Sequence, residues 1–415
     1  MKPSVFVILL SFVLLQNSLS QVLSEWRGIG RTGVYTETGL LKKWPENGPT
    51  MLWSLKDIPK GNSSVSIVNN TLYLTGIKDS LELLTAVNDK GIVQWQTSYG
   101  RAWNNSFPES RCTPTVEKDK IFVSSGLGDL ACLNPTDGKI IWKLKASEKF
   151  EGAYGRWGIA ESPLIVDHKL IFTPGGEKTT IVALNENTGE TVWTSESIHD
   201  NPSYVSPLLI ERNGKKEIVA VTEKFILGVD PDNGKIIWKF DYGAYSNRDG
   251  HYSIVTNTPL YDNGKLFMTT GYNHYSVMLD LTPDGSSVSL AWLDSIMDVH
   301  HGGAVKLGNF IYGSNWISNG MGNWVCLDWT TGKTMYETKW INKGSIIAAE
   351  GLLYCYEEKT GNIALVKPSP EAFQIISSFK VPFGTGPYWA HPVIHNGILY
   401  IRHGETLMAY DIKEK

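Results

Sequence analysis

The chain has 415 residues, 42% hydrophobic and 19% charged, with 40 glycines and a net charge of −4. This balance excludes a disordered or fibrous chain. With no Lys/Arg-rich run, it offers nothing to a nucleic-acid backbone.

Met1-Lys2 opens the chain, Val5 to Leu15 is almost wholly apolar, and Ser18-Leu19-Ser20 places small residues before a cut at Gln21. Residues 1–20 therefore read as a signal peptide. The apolar run is too short for a comfortable membrane span. No cysteine stands at the cut to carry a lipid, and no later stretch is apolar enough to cross a bilayer. The mature chain is expected in the periplasm or outside the cell, as a monomer without an integral membrane segment.

Residues 21–50 form an N-terminal extension, and residues 51–415 carry a repeat. One phrase recurs: Ala/Cys/Gly-Leu/Val-Asn/Asp, a turn ending in Gly, three residues, then an aromatic. It occurs at Ala86-Val87-Asn88 with Gly91 and Trp95, and at Cys132-Leu133-Asn134 with Gly138 and Trp142. The fullest copy runs from Ala183-Leu184-Asn185 through Gly189 to Trp193. Further copies are Gly228-Val229-Asp230 with Gly234 and Trp238, and Cys326-Leu327-Asp328 with Gly332 and Tyr336; Trp292 marks one between them. Asn, Asp and Gly at the turn supply the positive φ of tight hairpins, and the flanks are β-branched and aromatic. A second hairpin precedes each phrase, as at Thr258-Pro259-Leu260, Asp262-Asn263-Gly264 and Leu266 to Met268. Four short strands repeating at roughly 40–50 residues predict a propeller. Two copies are weaker: one from Gly344 to about Ile376, without a Trp, and a last one ending at Leu407 to Asp411 without a fourth strand. Met51-Leu52-Trp53-Ser54 is an unclaimed fourth strand, and joining it to the last copy closes the ring. Eight blades result; seven is the alternative, because the copy around Ile375 has no Trp. Cys112, Cys132, Cys326 and Cys355 imply no disulfide framework. Cys132 and Cys326 sit where other copies carry Ala183 or Gly228, as buried small residues.

The Ala-Leu-Asn-x-x-Thr-Gly-x-x-x-Trp phrase resembles the tryptophan-docking repeat of the pyrroloquinoline-quinone (PQQ)-like β-propeller superfamily. That group holds the quinoprotein alcohol dehydrogenases and the propeller lipoprotein of the outer-membrane β-barrel assembly machinery. Trp26-Arg27-Gly28, Arg31-Thr32-Gly33, Gly39-Leu40-Leu41 and Trp44-Pro45 look like the lead-in of exported bacterial PQQ-like repeat proteins. The resemblance covers about Met51 to the C-terminus. It implies an all-β, eight-bladed, quinoprotein alcohol dehydrogenase-like propeller with four antiparallel strands per blade, in which Trp and Gly dock one blade on the next and do not bind quinone. Quinoprotein alcohol dehydrogenases carry two adjacent cysteines beside the cofactor. This chain has no Cys-Cys pair and no identified counterpart of their calcium ligands or catalytic aspartate, so PQQ as a cofactor is left open.

One propeller face should carry tight turns, and the other the long segments 96–111, 143–161, 241–257 and 377–391. Function is expected on the second. Arg111, Glu161, Ser206, Asn257, His301 and His391 precede successive innermost strands and should point into the channel mouth. Glu161, His251, His301 and His391 are the candidate acid–base residues. Arg111, Trp157, Asn257, His300, Trp316, Trp389 and His403 are the candidate ligand contacts, their aromatic rings suited to a sugar or another planar ligand. No metal set is assigned. His300-His301 is not a familiar ligand spacing, and because adjacent strand residues face opposite ways, only one of the two should reach the mouth. Ser206-Pro207 repeats Ser162-Pro163 and reads as repeat structure, not a nucleophile. The leading reading is a platform for a small molecule, glycan or envelope protein. The alternatives are an enzyme acting on a carbohydrate or alcohol, and a scaffold resembling the outer-membrane assembly factor.

Overall fold

The structure, a computed structural model, describes residues 23–246 and 254–414. The described chain folds into eight sheets, each with a core of four antiparallel strands in sequence order except the one that closes the ring; two of them gain a short fifth strand from the N-terminal segment. Blade 1 is Ser66–Val68, Thr71–Lys78, Leu81–Asn88 and Val93–Arg101. Blades 2 to 7 begin with the innermost strands Thr115–Glu117, Leu164–Val166, Leu208–Arg212, Leu260–Asp262, Val305–Leu307 and Gly344–Ala349. Blade 8 takes Val393–His395, Ile398–His403 and Thr406–Asp411 from the C-terminus and Thr50–Leu55 from the N-terminus, the last two paired antiparallel. Eight blades are thus present. The Trp-less copy is a full blade whose outer strand, Gln374–Lys380, pairs with Asn362–Lys367.

Local chemistry sets each blade. Most turns between first and second strands hold positive φ at both central residues, as at Asn69-Asn70, Asn263-Gly264 and Asn396-Gly397. This turn type suits twisted hairpins and accepts Asn and Gly with least strain. The small residue of the repeated phrase lies opposite the blade's closing aromatic: Cys132 opposite Trp142, Ala183 opposite Trp193, Gly228 opposite Trp238 and Cys326 opposite Tyr336. A bulge follows at once in each of these pairs. All four cysteines are free and buried.

Tryptophan joins the blades. The Trp142 indole donates to Glu186 O at 2.8 Å, Trp193 to Pro231 O at 3.0 Å, Trp95 to Pro135 O at 3.2 Å and Trp53 to Asp89 O at 2.8 Å. Each ring lies over the turn glycine of the following blade, where a Cβ on Gly189 would come within 2.8 Å of Trp142 and one on Gly91 within 2.7 Å of Trp53. Blade 4 breaks the pattern: the buried Trp238 indole N–H faces the Glu217 carboxylate of its own blade and not a carbonyl of the next. Beside it, between blades 4 and 5, lies a cavity of about 640 Å³ lined by Arg212, Lys216, Glu217, Asp232 and Asp284.

The N-terminal segment runs through the channel. Leu23–Ser24 pairs antiparallel with the innermost strand of blade 2, and Val34–Tyr35 pairs in parallel with that of blade 7. Arg31 is fully buried and donates to Ser162 O, Pro163 O and Glu25. What remains of the channel on the side of blades 4 to 6 is a cavity of about 430 Å³, bounded by Gly30, Thr32, Leu208, Pro259 and Lys306.

Candidate functional site

The candidate residues divide into three groups by their contacts. The first group is structural. Ser64 N donates to Thr113 Oγ1 at 3.0 Å, Thr113 N to Ser162 Oγ at 3.0 Å, and Ser162 N to Ser206 Oγ at 2.9 Å. These side chains staple blades 1 to 4 in series, a structural use of Ser206. Asn257 belongs here too: it is buried, accepts from Gly303 N at 3.1 Å and donates to Val299 O at 2.7 Å.

The second group holds the loops. Arg111 donates to Trp157 O at 2.6 Å and to Phe107 O at 2.8 Å, tying two long loops together. The Trp157 ring packs on Tyr204. His403 is buried, stacked on Tyr388, with its two nitrogens 2.8 Å from Phe383 O and Gly386 O. Glu161 is buried on the blade 3 side. Its Oε2 accepts from Thr173 N at 3.2 Å, and its Oε1 has no partner. Desolvation pushes its carboxyl up to about 8, with the Arg31 charge opposing.

The third group is a cluster under the aromatic rim. His300 and His301 were expected to face opposite ways; instead their ring centroids lie 4.2 Å apart. The pair occupies an irregular bend ahead of Val305–Leu307, so strand alternation does not apply. His300 Nε2 meets Tyr272 Oη at 2.8 Å, and His301 Nε2 lies 3.4 Å from Glu358 Oε2. Lys343 donates to Glu358 Oε1 and, at 2.9 Å, to Asn319 O. Trp389 stands edge-on to His301 and tilts against Phe107, while Trp316 packs on Tyr272. Asp298 clamps these loops by accepting from Trp316 N and Asn273 N, and burial pushes it up to about 7. Desolvation first, and the Lys343 charge second, push His301 down to about 3, so its imidazole is neutral.

His391 adjoins this cluster through backbone: its Nε2 lies 2.9 Å from His301 O, and its Nδ1 meets Arg27 Nη1 at 2.8 Å. Arg27 also donates to Ala304 O at 2.6 Å and Ile346 O at 3.1 Å. The structure thus brings His300, His301, Trp316, Trp389 and His391 together, while Glu161, Asn257, Trp157 and His403 have other partners. His251 lies outside the described residues. Sequence reasoning missed Arg27, Tyr272, Lys343 and Glu358. Lys343 was within reach, because it directly precedes the innermost strand of the Trp-less blade, and a place ahead of an innermost strand is what selected His301 and His391.

The PQQ requirement can be tested on these residues. The described cysteines are buried singly in the blades, with no adjacent pair. The mouth beside blades 6 to 8 is taken up by Arg27 in contact with three backbone carbonyls and His391. These residues do not fit the cofactor as the quinoprotein alcohol dehydrogenases hold it.

A family model described as outer membrane protein assembly factor BamB matches residues 80–338, more than half of the chain. Among curated proteins, the quinoprotein alcohol dehydrogenase PedH of Pseudomonas putida is 29% identical over 38% of this chain and 26% of its own length. The outer membrane protein assembly factor BamB of Kangiella koreensis is 22% identical over 52% of this chain and 50% of its own length. The chain therefore spans half or less of these relatives. Solved structures share the fold at low identity. BamB from Moraxella catarrhalis superposes with a TM-score of 0.62 at 14% identity, covering 88% of this chain and 99% of that one. A europium-containing methanol dehydrogenase gives 0.68 at 14%, covering 90% and 88%.

Proposed function

The chain belongs to the outer membrane protein assembly factor BamB family of PQQ-type propeller repeats, and from that premise we propose that it is an exported protein-binding platform whose long-loop face is the working surface. One observation carries the reading. That face presents solvent-exposed Phe107, Tyr154, Ile317, Met321 and Ile341 around a channel partly occupied by the chain's own N-terminal segment. Apolar side chains held out on rigid loops suit a protein partner better than a small polar ligand, which needs a concave pocket. Export rests on the apolar run and small-residue cut of residues 1–20; among the described residues no helix is long and apolar enough to cross a membrane.

The test compares faces. A photo-crosslinking amino acid is placed at Phe107, Ile317 or Met321 of the full-length chain in its producing cell, and at Ile92 on the short-turn face. Discrete protein adducts from the first three and none from Ile92 are expected. Adducts from both faces alike, or from none of the long-loop positions, would overturn the platform.

A further inference from the structure

We propose that His300, His301 and Glu358 form a binding site for one divalent transition-metal ion, Zn²⁺ being the ion their donors suit. One ligand atom from each lies within 4.8 Å of the other two. His300 Nδ1 and His301 Nε2 are both buried without a hydrogen-bond partner. Buried polar atoms in native structures are nearly always paired, so two adjacent unpaired imidazole nitrogens facing a carboxylate call for an occupant. His301 Nε2 and Glu358 Oε2, 3.4 Å apart without hydrogen-bond geometry, are already spaced as the edge of a tetrahedron built on metal–ligand bonds of about 2.0–2.1 Å.

The surroundings orient each ligand. Tyr272 holds His300 Nε2, and with the proton there Nδ1 offers a bare lone pair. Lys343, anchored on Asn319 O, occupies Glu358 Oε1 and leaves Oε2 to the site. Two imidazoles and one carboxylate are a zinc or related transition-ion set, whereas Ca²⁺ and Mg²⁺ prefer all-oxygen shells. Three protein ligands leave a fourth position for water or for an atom of whatever docks beneath Trp389.

Untagged full-length protein, stripped with chelator, is titrated with ZnCl₂ by calorimetry and with CoCl₂ by absorption. One equivalent should bind, with the visible bands of a four-coordinate cobalt ion. His301→Gln and Glu358→Gln should each lose at least about 100-fold in affinity, and Tyr272→Phe about 10-fold at unchanged stoichiometry. His199→Gln, on the exposed His199–Glu177 pair, should bind as the parent does. Circular dichroism identifies a variant that has not folded, and Glu358→Gln, near-isosteric, then stands in for His301→Gln. No saturable binding by the parent, or one-to-one binding that survives Glu358→Gln, would overturn the site.

Discussion

At the scale of single residues, the channel mouth is governed by desolvation. Glu161 shows this most clearly, because its carboxyl is pushed up to about 8 while an unfolded glutamate titrates near 4.3. Between these values the folded chain binds more protons than the unfolded one, so stability falls as pH rises through that window and levels off above it. Glu161→Gln, which cannot ionise, should match the parent near pH 5 and melt roughly 2–5 °C higher near pH 9. Thermal melts at the two pH values check this, and a variant that lags the parent at pH 9 would mean that the fold stabilises the Glu161 carboxylate instead of penalising it. Arg27 is the opposite case, a buried cation whose fork is spent on the carbonyls of Gly302, Ala304 and Ile346. Burial lowers its guanidinium only to about 10, so it stays charged. Arg27→Met should cost about 3–5 kcal/mol by leaving those acceptors unpaired, and Arg27→Lys should recover little, since a lysine cannot reproduce the planar fork. Denaturant titration of the three proteins decides it.

Among the elements, the joints between blades differ in a way the sequence half reveals. Gly189, Gly234 and Gly285 all hold φ between +70° and +77°, so an alanine strains the backbone similarly at each. A Cβ at Gly189 or Gly234 would also strike Trp142 or Trp193, whereas at Gly285 it meets only Glu217 Oε2 at 3.2 Å. Gly189→Ala and Gly234→Ala should therefore cost about 2–4 kcal/mol and Gly285→Ala about 1–2 kcal/mol, read from thermal midpoints. Equal costs would mean that tryptophan docking does not hold the ring. The docking phrase was legible because turn chemistry and a bulky aromatic must recur wherever the joint recurs. It also located the blades whose copies are degenerate, since Leu352–Glu357 keeps a strand pattern without its Trp. The broken joint at Trp238 was not legible, because its tryptophan is present and only the Thr282–Gly285 turn opposite it differs. The His300–His301 cluster was half legible. The residues were chosen by their place before an innermost strand, but the rule that adjacent residues diverge holds only inside strands. Tyr272, Lys343 and Glu358 come from other blades, and only the closed ring brings them to the pair.

For the molecule as a whole, two segments near the N-terminus do different work. Thr50–Leu55 completes blade 8 and removes the ring's exposed edges, while residues 23–35 brace the inside through Arg27, Arg31 and two short strand pairings. Loss of closure exposes unpaired strands, which template aggregation; loss of the brace opens a wet channel but leaves every blade intact. A chain beginning at Glu37 keeps the closing strand, the carboxylate of Glu37 on Asn396 N and Gly397 N, and buried Leu40 and Trp44. It should remain monomeric and folded, melt lower than the parent, and show faster amide exchange at Gly344–Ala349 and Thr115–Glu117, the innermost strands that lose a partner. A chain ending at Glu405 lacks Thr406–Asp411, leaving Thr50–Leu55 unpaired and Ile398–His403 with one open edge beside Val393–His395. That chain should aggregate on size-exclusion chromatography. If the shortened N-terminus aggregates as readily as the shortened C-terminus, the segment in the channel is part of the ring's closure, and the blades alone do not hold the propeller shut.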